Sequence, residues 1–168
     1  SASPQLARNR ILAKPPPPNL LTLEQIAAQL APGARLLGLD VGSTTIGLAL
    51  SDVSRTIATA HSTIERRKFT LDARAMLAIA AEHAVGGLVI GMPVNLDGTE
   101  GPRAQSTRAF VRSLAPLTPL PLVLWDERLS TAAVERELIG MDVSRARRAE
   151  VIDEHAAIFI LQGALDRL

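Results

Sequence analysis

Acidic residues in three distant parts of the chain have the side chains needed to hold hard cations. Asp40 lies within an apolar run, Asp126 and Glu127 directly follow the apolar segment 122–125, and Asp153 lies in a C-terminal segment with helical spacing. Carboxylates that converge repel one another unless a divalent cation neutralises them. Oxygen-only ligands favour Mg²⁺ or Mn²⁺ over Zn²⁺. Such a cluster suits in-line phosphoryl transfer, in which metal ions activate a water and stabilise the leaving oxygen.

Each acidic position also has an ordinary structural explanation. Asp126 could cap a turn or helix before Ser130, and both explanations stay open. Asp40 would need a cation or several hydrogen-bond donors, because an unpaired carboxylate within a central strand carries a large desolvation penalty. Asp153 is the only charge on a stripe of apolar residues, and residues 149–151 before it already follow a helical pattern. This position therefore favours a buried, functionally paired aspartate over a helix cap.

Basic residues form local clusters and give no overall excess of positive charge. The 18 Lys and Arg residues balance 17 Asp and Glu residues, so any polyanion must bind at a local patch. Arg145 and Arg148 precede Asp153, and Arg128 follows Glu127, which makes these arginines candidates for binding phosphates. The basic run 66–68 can equally be solvated surface. The Gly-rich segment 96–101 is either an ordinary connection or a mobile loop that shapes a substrate groove.

The composition argues against several other chemistries. The chain has no cysteine, so it has neither a disulfide framework nor a thiolate metal site, as expected of a cytoplasmic protein. Its four aromatic residues argue against an aromatic platform for stacked bases. The three histidines, His61, His83 and His155, share no ligand spacing and are expected to be structural or surface residues. No segment has the pattern of a signal peptide or a membrane span.

Hydrophobic periodicity predicts the elements that must bring the acidic residues together. Alternating apolar residues predict a strand at 37–41 and a second at 46–50, which pair as a hairpin, and a third strand is predicted at 55–64. Helices then alternate with short strands at 88–90 and 121–125. The sequence therefore predicts an α/β fold with a mixed five-stranded sheet, an antiparallel hairpin followed by parallel strands, and helices on both faces. Catalytic groups in such sheets gather beyond the carboxyl ends of the parallel strands.

Residues 1–34 are predicted to be an N-terminal extension. Four prolines at 15–18 form a stiff linker that cannot enter a helix or a central strand. Thr22 and Gln25 have the spacing of a capping box, which begins a short helix that stops before Pro32. Residues 35–168 then form the predicted catalytic domain, whose length suits one compact unit.

Four blocks of the sequence resemble the YqgF-type (RuvX) nuclease family. The first combines LDVG at 39–42 with IGLALSD at 46–52, and the second is VIGMPVNLDGTEGPRA at 89–104. The third is WDERLST at 125–131 and the fourth is VID at 151–153. The blocks keep the family's order from about residue 36 to the C-terminus, and together they are highly specific.

The resemblance implies a ribonuclease H-like fold for residues 35–168. It implies a metal-dependent endonuclease that processes the 5′ end of pre-16S ribosomal RNA with Mg²⁺ or Mn²⁺. Asp40, Glu127 and Asp153 would be the catalytic, metal-holding residues, and whether Asp126 or Glu127 is the ligand stays open. The same motifs suggest that Asn95 and Arg103 join Arg128, Arg145 and Arg148 in binding structured RNA or branched DNA.

The same residues suggest three alternatives to an RNA-processing nuclease. The first is a Holliday-junction resolvase acting on branched DNA, which would need a symmetric dimer, so both a monomer and a homodimer are open. The second is a non-catalytic ribosome-assembly or RNA-binding factor. The third is an actin-like ATPase, because segment 38–45 also resembles the first phosphate loop of those proteins. It is disfavoured, since they use two such domains and this chain supplies one.

Overall fold

The computed structural model describes residues 15–129 and 145–168, and for residues 145–154 it describes the backbone alone. The strands are β1 (Leu20–Leu21), β2 (Arg35–Val41), β3 (Thr45–Ser51), β4 (Ala58–Glu65), β5 (Val85–Met92) and β6 (Leu122–Asp126). The helices are α1 (Leu23–Gln29), α2 (Phe69–Glu82), α3 (Pro102–Leu114) and α4 (Arg145–Leu165), with a 3₁₀ turn at Ala115–Leu117. No helix in these described ranges is long and apolar enough to cross a membrane.

The strands form one mixed sheet in the order β1-β6-β5-β2-β3-β4. Strands β2, β3 and β4 are antiparallel neighbours, whereas β2, β5, β6 and β1 run parallel. The carboxyl ends of β2, β5 and β6 therefore meet at one edge, together with the end of β4. The predicted mixed α/β fold is confirmed, but the predicted number of five strands is wrong. The sixth strand, β1, has two residues, which is too short to show any alternation in the sequence.

Helices cover both faces of the sheet. Apolar residues of α2 and α3, among them Met76 and Phe110, pack in one buried layer against Leu37, Leu39 and their neighbours. Residues of α1 and α4, among them Ile26 and Ile160, form the second buried layer. Because side chains alternate along β2, the polar face predicted for Gly38 and Asp40 is the face that α4 covers.

The segment 19–29 packs against the edge of the sheet. The side-chain amide of Asn19 lies 3.1 Å from the carbonyl oxygens of Ala115, Thr118 and Leu120, and the Asn19 carbonyl accepts a hydrogen bond from Leu122 N at 2.8 Å. The predicted capping box of α1 is present, with both reciprocal bonds between Thr22 and Gln25. These contacts hold β1 and α1 onto the sheet, while the predicted boundary at residue 34 stays a prediction.

Glycines allow α4 to lie directly on the sheet. A Cβ atom at Gly38 would be 2.7 Å from Leu161 Cβ and 3.1 Å from the carbonyl oxygen of Ala157, so a side chain there would push the helix away. A Cβ atom at Gly47 of β3 would lie 3.6 Å from Ala157 Cβ, which is an ordinary contact distance. The path of α4 across β2 and β3 is thus set by small residues on both sides of the interface.

Candidate active site at the carboxyl edge of the sheet

Asp40 lies near the carboxyl end of β2 and is partly buried. It pairs in register with Gly47 of β3. A cavity of about 140 Å³ opens beside it, lined by Asp40, Thr45, Gly47, Thr63, Ala157 and others. The strand therefore presents this carboxylate at the border between the α4 layer and the edge of the sheet.

Glu127 reaches the same face from the end of β6. Its backbone N donates to the Met92 carbonyl at 3.1 Å, which extends the pairing with β5 by one residue. Its side chain lies over the backbone of β5, because a Cβ atom at Gly91 would be 2.7 Å from Glu127 Oε1. A Cβ atom at Gly91 would also clash with the side chain of Ile160 of α4. Gly91 thus leaves the space that Glu127 occupies beneath the last helix.

The pKa of Glu127 reflects this position. Burial raises its pKa above the ordinary value of 4.5, and the negative charges of Asp40 and, to a smaller extent, Asp126 raise it further, while the charge of Arg103 lowers it. The negative charge of Asp40 on β2 therefore acts on Glu127 across the end of β5. A buried carboxylate beside a second negative charge is a site that a divalent cation would stabilise.

Asp126 is separated from this pair although it precedes Glu127 in the chain. Trp125 packs in the layer of α4, so the next residue along the strand points to the opposite face. There the Asp126 carboxylate accepts bonds from the Arg128 side chain at 2.6 to 3.0 Å and from Arg128 N at 3.0 Å. The Arg128 bonds hold the pKa of Asp126 below its usual value. Asp126 and Arg128 form a local ion pair outside the Asp40–Glu127 pair.

The third predicted carboxylate belongs to α4. Position 153 lies on the helix backbone one turn before Ala157, the residue that meets Gly47 beside Asp40. The side chains of Arg145, Arg148 and Asp153 lie outside the described part of the structure. Among the described side chains, no group of three His, Asp or Glu residues is arranged to hold a metal ion.

Two further predicted residues flank the pair on the side of β5. Arg103 is exposed in the first turn of α3, close enough for its charge to act on Glu127. Asn95 lies in a compact hairpin closed by hydrogen bonds between Asn95 N and the Thr99 carbonyl and between Gly98 N and the Asn95 carbonyl. The Arg128 guanidinium lies 3.4 Å from the Leu96 carbonyl oxygen, so the ion pair also supports this loop.

Sequence reasoning overlooked two features of the site. It did not single out Gly91, although the residue follows a buried strand within the motif at 89–104. It also left open the run 66–68, where Arg66 Nη1 donates to the Gly42 carbonyl at 2.8 Å, two residues after Asp40. No local pattern could indicate that contact, because it depends on the pairing of β3 with β4.

The fold is that of the ribonuclease H-like class. The crystal structure described as Thermus thermophilus RuvC in complex with Holliday junction substrate superposes with a TM-score of 0.52 at 11% identity, covering 80% of this chain and 95% of that chain. A second structure of T. thermophilus RuvC gives a TM-score of 0.50 at 12% identity, covering 79% of this chain and 95% of that one. At such identities the likeness is one of fold alone.

The chain belongs to the RuvX family. The family model, described as Holliday junction resolvase, matches residues 34–167. A relative from Bradyrhizobium sp. (strain BTAi1) is 64% identical over 152 residues, which cover 90% of this chain and 94% of the relative. A relative from Rhodopseudomonas palustris (strain BisA53) is also 64% identical, with 90% and 93% covered. Both relatives carry the provisional name pre-16S rRNA nuclease.

Proposed function

We propose that this protein is a metal-dependent endonuclease that processes the 5′ end of pre-16S ribosomal RNA in the cytoplasm. The observation that carries the proposal is the position of Glu127 over Gly91 at the carboxyl edge of the sheet, close enough to Asp40 for the charge of Asp40 to raise the pKa of Glu127. Membership of the RuvX family and the name of its relatives support the choice of reaction and substrate.

The donor set fits Mg²⁺ or Mn²⁺. Asp40 and Glu127 supply hard oxygen atoms, and the burial and neighbouring negative charge that raise the pKa of Glu127 are what a bound divalent cation would offset. Asp153, one helical turn before Ala157, is proposed as the third ligand. When bound, the metal supplies an activated water and stabilises charge on the phosphodiester group. The chain's own contribution is to hold the carboxylates beneath α4, where Gly38 and Gly91 let the helix and the sheet approach.

Glu127 is the proposed ligand of the adjacent acidic pair, and Asp126 is a positioning residue. Asp126 is on the other face of β6 and is already neutralised by Arg128. Their ion pair fixes the end of β6, from which Glu127 projects, and supports the 95–98 loop. Asn95, Arg103, Arg128, Arg145 and Arg148 are proposed to contact the nucleic acid. Arg103 is the best placed of the described cations, because its charge reaches Glu127 and its side chain is exposed.

Cleavage of a precursor RNA tests this function directly. A fragment spanning the 5′ end of pre-16S RNA should be cut in Mn²⁺ or Mg²⁺ and left intact in EDTA. Asp40→Asn, Glu127→Gln and Asp153→Asn should each abolish cleavage without unfolding the protein. Glu82→Gln is the matched control, because Glu82 is an exposed carboxylate at the end of α2. Undiminished cutting by the Asp40 variant would remove that residue from the mechanism.

A resolvase acting on branched DNA is the second candidate. It is favoured by the description of the family model and requires the same carboxylates. Four-way DNA in the same assay separates the two activities, since a resolvase would cut paired strands of the junction and leave the RNA fragment intact. Binding of RNA without cleavage in any divalent cation would instead indicate a non-catalytic ribosome-assembly factor.

A further inference from the structure

The basic run Arg66-Arg67-Lys68, here called the basic ridge, lies at the same edge of the sheet as Asp40. Strand β3 is antiparallel to both β2 and β4, so β2 and β4 end at the same edge. Asp40 pairs with Gly47, and Gly47 pairs with Thr63. Thr63 is therefore two strand spacings from Asp40, and Arg67 follows Thr63 by four residues. Together these steps place Arg67 roughly 15 Å from Asp40.

Specific contacts hold the ridge against the turn that follows Asp40. Arg66 N donates to the Thr44 carbonyl at 2.9 Å, and Arg66 Nη1 donates to the Gly42 carbonyl at 2.8 Å. The Arg66 guanidinium also lies 5.7 Å from the centre of the Phe110 ring. Arg66 is therefore a positioning residue that connects the end of β4 to the turn after β2.

The next two cations remain exposed. Arg67 N donates to both oxygens of the buried Asp72 carboxylate at 3.2 Å, which fixes the backbone at the ridge. The side chains of Arg67 and Lys68 are exposed, and neither forms an ion pair with an acid in the described part of the chain. The backbone that carries these two charges is thus fixed at the site edge, and none of the described acidic side chains neutralises them.

We propose that Arg67 and Lys68 bind backbone phosphates of the RNA substrate on the Asp40 side of the active site. This inference rests on the proposed function. Arg103 lies on the Glu127 side, so the cations flank the acidic pair from two directions, as a strand crossing the edge requires. Because the formal net charge is only +1, such local cations must supply the electrostatic attraction that the whole chain lacks.

Salt-dependent binding tests the ridge without requiring cleavage. The wild-type protein, Arg67→Gln, Lys68→Gln and the double variant are titrated with the pre-16S fragment in EDTA at several salt concentrations. Each single substitution should reduce the slope of log K against log salt by about 1, and the double variant by about 2. Arg112→Gln is the matched control, because Arg112 is an exposed cation of α3 beside the amino end of β6. It should bind as the wild type does.

The outcomes separate the ridge from the function itself. The double variant could show the wild-type salt slope and still bind and cleave the RNA. That result would overturn the proposed role of the basic ridge and leave the proposed function standing. An equal loss in Arg112→Gln would also overturn it, because the effect would then report total charge. A wild-type protein that neither binds nor cuts the RNA would end the proposed function and the ridge together. Equal losses on RNA and on four-way DNA support the ridge, since phosphate contacts carry no sequence information.

Discussion

Asp126 and Glu127 are adjacent in the chain, yet their carboxylates lie on opposite faces of the sheet. Glu127 lies over Gly91 beneath α4, whereas Asp126 is on the opposite face in an ion pair with Arg128. One carboxylate thus has a pKa raised by burial and by Asp40, and its neighbour has a pKa lowered by Arg128. Two acids that look equivalent in the sequence are therefore expected to respond differently to substitution.

Replacing each acid by its amide should separate a ligand from a positioning residue. Glu127→Gln removes a proposed metal ligand and is expected to lower metal-dependent cleavage at least about 100-fold. Asp126→Asn keeps that ligand but weakens the hold on Arg128, so a loss of about 10-fold or less is expected. Single-turnover cleavage at saturating Mn²⁺ measures both. A greater loss in Asp126→Asn than in Glu127→Gln would contradict the proposal and indicate that Asp126 is the ligand.

The effect of Mg²⁺ on thermal stability should depend on pH through Glu127. The pKa of Glu127 is higher in the folded state than its ordinary value of 4.5, so its protonation stabilises the folded protein. This contribution is fully present below pH 4.5 and is lost as pH rises through the folded pKa. A cation prefers the ionised form, so the increase in Tm on adding Mg²⁺ should grow over that same interval.

Thermal melts with EDTA or Mg²⁺, from about pH 4.5 upwards, measure this linkage, with Glu127→Gln as the control. The amide cannot ionise, so this variant should lose the Glu127 part of the pH dependence and melt at a higher temperature than the wild type in EDTA at neutral pH. An Mg²⁺ effect that is independent of pH in the wild type would argue against a cation at Glu127.

Two glycines beneath α4 should differ in their tolerance of a methyl group. Gly38→Ala would place its Cβ 2.7 Å from Leu161 Cβ, so an unfolding free energy lower by about 1 to 3 kcal/mol is expected. Gly47→Ala meets only ordinary contacts, 3.6 Å from Ala157 Cβ and 3.7 Å from Asp40 Cβ, and should be nearly neutral. Urea unfolding of the pair measures the difference, and equal stability of the two variants would show that α4 does not rest on the β2 backbone.

The tether formed by Asn19 should affect stability and spare catalysis. Asn19→Ala removes an amide that faces three carbonyl oxygens, which should lower the unfolding free energy by about 1 to 3 kcal/mol. Asn19→Asp should lower it further, because a carboxylate would then face those oxygens. Cleavage below the melting transition should be unchanged in both variants, since Asn19 lies at the amino end of β6. Loss of activity in a folded variant would tie β1 to the site.

The sequence by itself determined the elements and the residues capable of chemistry. Alternation along 37–41 and 46–50 required strands, and it also separated the polar face of Asp40 from the apolar face, because side chains alternate with period two. The capping box at Thr22 was equally local, since its partners are three residues apart. Such signals depend only on neighbours in the chain.

Tertiary structure alone decided which of these residues meet. The two-residue strand β1 depends on Asn19 reaching residues about a hundred positions later, and no local period marks it. The assignment of Glu127 rather than Asp126 to the Asp40 face depends on where β6 ends and on the space above Gly91. The basic ridge reaches the site because β3 and β4 pair. Each of these outcomes arises from contacts between distant segments, whose geometry is fixed by packing rather than by local preference.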